Sequence, residues 1–537
     1  ILSESLLDGN VFMPKDSLIR QAGEILSVDE EMVDNCLREL QIEHKVFNEN
    51  IDGTDAVYLM TMYYTEISAA KKLLELSFFH DDADLKKIND KIDAVEDLSG
   101  ICLAKQQRTA VIEAMREGVL VITGGPGTGK TTIIHTIIKI FKSSGMEVVL
   151  AAPTGRAAKR MTETTGIEAK TIHRMLGVAY ADDDNGRQKF DKNETEPIEA
   201  DVIIIDEVSM VDMQLFNNLL NAIEPGTRLI LVGDANQLPS VAAGNVLKDI
   251  IKSEKIKVVR LTEIFRQARE SAIITNAHKI NSGEEPVMNG KNTDFFFVNA
   301  QYAPEVPGKI VELITKRLPK FTGVDSFSDM QVLTPMRKGD IGAAGLNKTL
   351  QKALNPPSDG KKEYETSSCT FREGDKVMQI KNNYNISWKI ENRLGKVIDD
   401  GTGIYNGDMG IIKSINKQAE TITVLFDDMR QAVYEFTALD ELELAYAVTI
   451  HKSQGSEYPV VIIPIHSGPP MLMSRNLLYT AVTRAKKFVI IVGLKSSVNR
   501  MVANDREVSR YSGFAYRLET LYDFMLETGD DGDTISF

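Results

Sequence analysis

The sequence predicts an α/β fold of two lobes, each a parallel sheet wound with helices, with an inserted small β-barrel and an N-terminal helical domain. Three observations carry that prediction. Between Leu98 and about Arg266 the apolar runs VLVIT, EVVLAAP, DVIIIDE and RLILVGD alternate with helical patterns such as TIIHTIIKIF, GRAAKRMTE and DMQLFNNLLNAI. Buried parallel strands joined by crossover helices read in this way. A second set, MQVLTP, PVVIIPI and FVIIVG, recurs towards the C-terminus and predicts a second sheet of the same kind. The first strand runs into GGPGTGKTT at 124–132, which fits the phosphate-cradling pattern G-x-x-x-x-G-K-[ST] between a strand and a helix.

Taken in order, residues 1–97 open with helices around Ser17–Leu26 and Asp29–Leu40, followed by KVFNENIDGTDAVYLM, a β-hairpin pattern. Two helices and a hairpin are the order of a winged helix. Its second helix carries Asp29, Glu30, Glu31, Asp34 and Glu39 against one Arg38, which disfavours reading of DNA and points to scaffolding or contact with a protein. Residues 98–266 form the first α/β domain, with an inserted hairpin at 178–200 around Asn185-Gly186. Residues 267–365 begin the second domain and 441–526 complete it. Between them, 366–440 alternates in CTFREGDKVMQI, DMGIIKSI, TITVLF and QAVYEF, with the turn signal YNGDMG, and predicts the barrel. Acid is concentrated at 80–97, 180–186 and 527–533; these runs read as a linker, a loop and a disordered tail at 527–537.

Composition narrows the classes. A chain of 537 residues with net charge −15 offers no general attraction for phosphate, so any nucleic acid must be held locally. Cys36, Cys102 and Cys369 show no C-x-x-C spacing and are expected to be small buried hydrophobes in a reducing compartment. No apolar run approaches the ~18 residues of a membrane span, and ILSESLLDGN lacks the regions of a signal peptide. A soluble, cytoplasmic protein is expected, with residues upstream of Ile1 because the chain does not open on Met.

The phosphate loop supplies the first site residues. Gly125, Gly127 and Gly129, with Pro126 and Thr128 between them, let successive N–H groups face one anion at a helix N-terminus. Lys130 is placed to reach the β- and γ-phosphates of a nucleotide, Thr131 to offer its hydroxyl to Mg²⁺, and Thr132 to continue the first turn. VIIIDEVSMVD ends a buried strand on Asp206 and Glu207, one carboxylate for Mg²⁺ and one to polarise an attacking water. RLILVGDANQLPS sets Asp234, Asn236 and Gln237 at the carboxyl edge of the same sheet, where such folds bind ligands, and the Gln237 amide suits a γ-phosphate sensor. Pro153, Thr154, Gly155 and Arg156, and His173 in TIHRMLG, combine small, hydroxylic and basic groups suited to a single strand's backbone; Arg156 read alone is equally a solvated helix charge. In ELAYAVTIHKSQGSEY, Thr449, His451, Ser453 and Glu457 precede a strand of the second domain, and polar contact with nucleic acid or nucleotide suits them better than metal, since no second ligand is spaced to join His451. Arg266 and Arg484 are placed to stabilise charge on a leaving phosphoryl group.

In this order the strings resemble the motifs of a superfamily 1 helicase, and specifically its RecD-like branch. GGPGTGKTT resembles motif I, APTGRAAKRM motif Ia, TIHRMLG motif Ib, IIIDEVSMVD motif II, VGDANQLPS motif III, LTEIFRQ motif IV, TIHKSQGSEY motif V and LLYTAVTRAKK motif VI. The resemblance spans about residues 1–525. It implies two RecA-like domains that hold ATP and Mg²⁺ in their cleft, movement 5′ to 3′ along single-stranded DNA, and separation of duplex DNA at junctions. It also implies work in DNA repair and recombination, Gln107 in LAKQQRTAV as the adenine-contacting glutamine with Gln106 as its neighbour in register, an SH3-like identity for the barrel, and a pin role for the 178–200 hairpin. A monomer with a protein partner at its N-terminal domain is expected. The residues alone leave open an RNA helicase of the same superfamily and a nucleotide-dependent switch or scaffold.

Overall fold

The computed structural model describes residues 1–537 apart from 82–83, 183–187, 266–269, 292, 506–509 and 529–537, with backbone alone at 178–182, 188–189, 322 and 528. The chain divides into two compact units, Ile1–Pro153 with Ala157–Phe265 and Val508–Phe537, and Thr154–Arg156 with Arg266–Glu507.

The first unit opens with a small antiparallel sheet of β1 (Phe12–Pro14), β2 (Val46–Ile51) and β3 (Thr54–Leu59), ordered β1-β3-β2. The two expected helices, Lys15–Leu26 and Glu30–Ile42, lie between β1 and β2. Asp29 starts the second by accepting from Met32 N at 2.7 Å. The β2–β3 turn is left-handed at Asp52 (φ 48°) and Gly53 (φ 83°), as a two-residue hairpin turn requires. Helix Met60–Ser77 buries Ala69, Ala70, Leu73 and Leu74 in one core with the first α/β sheet.

The acidic run at 80–97 is not simply a linker. Leu85–Ser99 is a helix that buries Ile88 and Ile92 and starts on Asp84, which accepts from Lys86 N at 2.9 Å. An apolar pair four residues apart was enough to dock it, with most of its acids left facing water.

The main sheet contains β4 (Val119–Gly124), β5 (Val148–Ala152) and β6 (Ala169–Thr171), then β9 (Val202–Ile205), β10 (Arg228–Gly233) and β11 (Lys257–Leu261), with the hairpin strands β7 (Val178–Asp182) and β8 (Gln188–Phe190) standing apart. Its order is β11-β4-β10-β9-β5-β6 and every pairing is parallel. All the carboxyl ends therefore share one edge, so loops far apart in sequence meet there. β7 and β8 pair antiparallel, and the expected Asn185-Gly186 turn lies outside the described residues.

Helix Phe514–Thr528 returns to this unit and joins its core through Phe514 and Leu518. Glu66, fully buried, accepts from Tyr58 OH at 2.9 Å, Ser512 Oγ and Gly513 N at 3.0 Å, and Arg517 Nε at 3.3 Å. Asp249, on helix Val246–Ser253, faces the same pocket of charge; its Oδ2 is shielded and without a hydrogen bond. Burial, helped by the nearby Glu66 charge, pushes its carboxyl up to about 7. A folded-state value above the unfolded one means that stability falls as pH rises from about 4 to about 7 and is flat beyond. Asp249→Asn removes that loss, so its unfolding midpoint should match the wild type near pH 4 and exceed it increasingly up to pH 7. A pH series of thermal melts checks this, and equal midpoints at pH 8 would refute it.

The second unit holds β12 (Phe295–Asn299) and β13 (Met330–Thr334), and then an insertion of β14 (Glu363–Glu365), β15 (Thr370–Arg372), β16 (Lys376–Gln379), β17 (Asn383–Glu391), β18 (Val397–Ile404), β19 (Met409–Asn416), β20 (Thr421–Phe426), β21 (Gln431–Glu435) and β22 (Leu442–Leu444). The chain then returns as β23 (Ala447–Thr449), β24 (Tyr458–Ile465) and β25 (Ala485–Gly493). The parallel sheet is ordered β12-β25-β24-β13-β23; in the insertion β14 and β15 pair with each other, and the other seven strands form an antiparallel sheet ordered β18-β17-β21-β20-β19-β16-β22. Alternate residues of β20, Ile422, Val424 and Phe426, enter its core.

The cysteines depart from expectation. Cys36 and Cys102 are exposed and Cys369 is half-buried, all as free thiols; Cys36 sits on a helix that buries only Leu37 fully. Among the described residues no helix is long and apolar enough to cross a membrane.

Candidate active site

The loop between β4 and helix Lys130–Ser143 takes left-handed turns at Gly127 (φ 74°) and Gly129 (φ 82°), conformations open to glycine at little cost. At Gly129 space also forbids a side chain, because a Cβ would stand 2.2 Å from Gln107 Nε2. Thr128, almost fully buried, donates to Gly125 O at 2.8 Å and pins the turn that contains Pro126. Lys130 Nζ donates to Gly124 O at 2.5 Å and Gly125 O at 3.2 Å, so its ammonium lies over the loop. Thr131 is exposed on the helix's first turn, and Thr132 O accepts from Thr136 Oγ1 at 3.0 Å.

Gln107 and Gln106 point to different partners. Gln107, 2% exposed, donates to Thr128 O at 3.2 Å and accepts from Ala104 N at 3.0 Å. Gln106 accepts from Thr262 N at 2.8 Å, beyond the end of β11. Phe265 N donates to Gly127 O at 3.3 Å, a contact with the loop that no sequence pattern had marked.

The carboxylate pair follows β9. Glu207 N donates to Asp206 Oδ1 at 2.8 Å, and Glu207 is itself left-handed at φ 55°. Burial, and then the Glu207 charge beside it, push the Asp206 carboxyl up to about 6 against the pull of Lys130 and Arg160. Arg160 NH1 lies 3.9 Å from Glu207 Oε1. The sequence reading did not single out Arg160; its position one helical turn after Arg156 is the signal that was there to use.

β10 runs between β4 and β9, so its loop falls between the phosphate loop and the acid pair. Asp234, 1% exposed, organises that loop. It accepts from Asn236 N at 3.0 Å and from Gln237 Nε2 at 3.3 Å, while Gln237 N donates to Asp234 O at 3.2 Å.

Pro153 follows β5, and Thr154, Gly155 and Arg156 belong with the second unit, where Arg156 NH1 donates to Ser456 Oγ at 3.2 Å and Tyr458 OH at 3.1 Å. His173 is half-buried on the short helix after β6, 6.0 Å between ring centres from Phe190 at the hairpin's base. Burial pulls its imidazole down, against the Asp212 charge, so the neutral form is favoured.

In the second unit Thr449 ends β23, and His451 and Ser453 form the turn that follows. His451 is exposed, Ser453 is fully buried and donates to Ile450 O at 2.7 Å, and Thr449 Oγ1 accepts from Lys452 N at 3.4 Å. Glu457 pairs with Lys486 at 3.3 Å. Arg484, 2% exposed, donates to Thr480 O at 3.2 Å and Ser456 O at 3.4 Å, tying the two motif segments together. Arg266 lies outside the described residues.

The structure thus gathers Gln107, residues 124–132, Asp206, Glu207, Asn236 and Gln237 on one sheet edge of the first unit; in the second unit it brings Glu457 and Arg484 to the amino ends of β24 and β25, whereas Thr449 ends β23 level with Thr334, at the carboxyl end of the same sheet, with His451 and Ser453 in the turn that follows. Three family models match in the same order: an AAA domain over residues 102–296, the ATP-dependent RecD-like DNA helicase SH3 domain over 346–426, and the UvrD-like helicase C-terminal domain over 444–492. The ATP-dependent RecD2 DNA helicase of Deinococcus radiodurans is 36% identical over 407 residues, 75% of this chain and 51% of that protein. The chain therefore spans about half the length of that relative. The RecBCD enzyme subunit RecD of Mycolicibacterium smegmatis is 29% identical over 465 residues, 79% of this chain and 77% of that protein. The crystal structure of Pif1 helicase from Bacteroides in complex with ADP-AlF3 and ssDNA aligns over 80% of this chain and 98% of its own at 19% identity, with a TM-score of 0.44. With a barrel model specific to RecD-like helicases set between the two motor segments, and similarity to RecD2 and RecD running through three quarters of its residues, the chain belongs to the RecD-like family of superfamily 1 helicases.

Proposed function

We propose that the chain is an ATP-dependent DNA helicase that moves 5′ to 3′ on single-stranded DNA and separates duplex DNA at junctions. One observation carries the reading: the Gln237 loop lies between a glycine-built phosphate loop and a buried acid pair on a single sheet edge. That edge offers N–H groups and Lys130 for the phosphates, Glu207 as acceptor for a proton from water, and a Gln237 amide beside them for the γ-phosphate. Gln107 reads the adenine. Arg266 and Arg484 stabilise charge on the departing phosphoryl group.

The residues fit Mg²⁺. Asp206 is a crowded carboxylate next to a second one, with Lys130 and Arg160 as its nearby cations, and Thr131 presents its hydroxyl on the exposed first turn. These two would hold the ion, which when bound neutralises phosphate charge. Pro153, Thr154, Gly155, Arg156, His173, Asn236, Thr449, His451 and Ser453 contact the DNA strand. The β7–β8 hairpin, its base packed on His173, serves as the pin that parts the duplex. DNA is favoured over RNA by the names of the relatives, since nothing in these motifs reads a 2′-hydroxyl. The protein acts as a monomer, with its acidic second helix free for a protein partner.

Duplexes bearing a 5′ or a 3′ single-stranded tail, in DNA and RNA versions, test the proposal. With ATP and Mg²⁺, strand separation is expected on 5′-tailed DNA and at least about tenfold less on the other three, a difference of about 1.4 kcal/mol in barrier. Separation of 3′-tailed DNA or of RNA at equal rate would refute direction or substrate, and hydrolysis indifferent to DNA would favour a switch.

A further inference from the structure

Arg510 stands where the chain rejoins the first unit, and its guanidinium collects the acceptors of the loop that follows Gln237. NH1 donates to Ser240 Oγ at 3.2 Å, Ala242 O at 3.0 Å and Gly244 O at 2.8 Å, and NH2 to Ser240 O at 2.5 Å. Residues 238–245 form neither helix nor strand, so these carbonyls have no ladder to satisfy them, and one planar fork of donors does so instead.

The surroundings are shaped for that fork. A Cβ on Gly9 would lie 2.4 Å from the guanidinium carbon, and Gly244, at φ +105°, donates its N–H to Gly9 O at 3.0 Å. On either side, Tyr511 O accepts from Val11 N at 2.7 Å and Tyr511 N donates to Asn10 Oδ1 at 3.0 Å. The same loop accepts at Ala243 O from Met213 N at 3.0 Å, the first residue of the helix after motif II. Between Ser240 and Gln237 lie only Leu238, which is buried, and Pro239, whose φ is fixed by its ring. The connection is short and stiff, so a shift of Ser240 moves Gln237.

Resting on the helicase reading above, we infer that Arg510 is a positioning residue for Gln237, holding the motif III loop in register with the phosphate loop. It touches neither nucleotide nor DNA and acts through the backbone of residues 240–244. Its partners lie about 270 positions away in sequence, and it belongs to none of the eight motif strings.

A double-mutant cycle on the intact chain tests this. Arg510→Ala should lower DNA-stimulated kcat about tenfold, with KM for ATP within about twofold. Arg510→Lys should recover only part, since one ammonium cannot span the four acceptors. In a Gln237→Ala background Arg510→Ala should add nothing further. Losses that multiply across the cycle, or wild-type kcat in Arg510→Ala with only a lowered unfolding midpoint, overturn the inference and leave the helicase reading standing. A wild-type chain that turns over no faster than Lys130→Ala overturns the helicase reading itself, and this inference with it.

Discussion

Lys130→Ala is expected to reduce DNA-stimulated ATP hydrolysis by at least about 100-fold, the loss of one strong charge contact to a transferring phosphoryl group in a preorganised site. The geometry gives the residue two duties. Its ammonium bonds Gly124 O and Gly125 O, so it closes the loop on itself, and when a triphosphate arrives phosphate oxygens are stronger partners for it than carbonyls. Alanine removes the charge and leaves those carbonyls to water, which reaches this half-buried position. Overall stability should therefore change little. Binding of single-stranded DNA without nucleotide should stay within about twofold, because the residues proposed to hold DNA are separate from the loop. Lys130→Arg should not rescue, since a planar five-donor fork does not fit where a compact ammonium lies under a glycine turn. Phosphate release and fluorescence anisotropy with a labelled oligonucleotide separate the two properties. Residual turnover above about a tenth of the wild type would contradict the assignment of the loop.

The parts legible in sequence were those with local periodicity or a local motif. VLVIT, VVLAA, VIII and RLILVG are buried on both faces and became β4, β5, β9 and β10, the four inner strands of the first sheet. The edge strands were harder. β6 is only AKT, and β11, KVVRL, breaks its apolar run with the exposed Lys257 and Arg260, as an edge strand can. In the second sheet β12 and β23 were missed, one at each edge. The long β17–β18 hairpin has polar residues on both faces, with Asp399 opposite Ile390 and Asp400 opposite Lys389, and lacks the alternation that marked β20. Ile88 and Ile92 were hidden among acids. At the site, residue types and spacing marked the loop, the acid pair and Gln237, whereas the strand order that puts Gln237 between the other two is a property of topology. The contacts of Arg510 with Ser240 and of Arg517 with Glu66 join residues 270 and 451 positions apart, and no window along the chain shows them. The cysteine expectation failed because a rule about residue type ignored the helix face: the carbon skeleton of Leu37 took the buried position and Cys36 the open one.

Glu207→Gln is expected to separate binding of the nucleotide from its hydrolysis. Glu207 is held in left-handed backbone, uncommon for a residue with a Cβ and costing on the order of 1–3 kcal/mol. Bonds on both sides hold it there: its N–H donates to Asp206 Oδ1 at 2.8 Å and its carbonyl accepts from Met210 N at 3.0 Å, at the head of the turn Val208–Met210. A strained residue fixed beside a buried carboxylate is what a proton acceptor needs, since its direction is set before water arrives. Glutamine keeps the length and the backbone bonds and cannot take a proton at neutral pH. Turnover should fall about 100- to 10,000-fold, the range for loss of a general base, while affinity for ATP and for single-stranded DNA holds within about threefold. The electrostatics point the same way, because the Glu207 charge is one of the two forces raising the Asp206 carboxyl. Without it Asp206 ionises more readily, so binding of a divalent cation should be kept or tightened. Asp206→Asn should behave differently, weakening nucleotide binding in the presence of Mg²⁺. Equilibrium binding of a fluorescent ATP analogue beside steady-state phosphate release distinguishes these cases. Should Glu207→Gln lose affinity in step with turnover, the carboxylate is holding the nucleotide or its ion, and the water must be activated by another group on this edge.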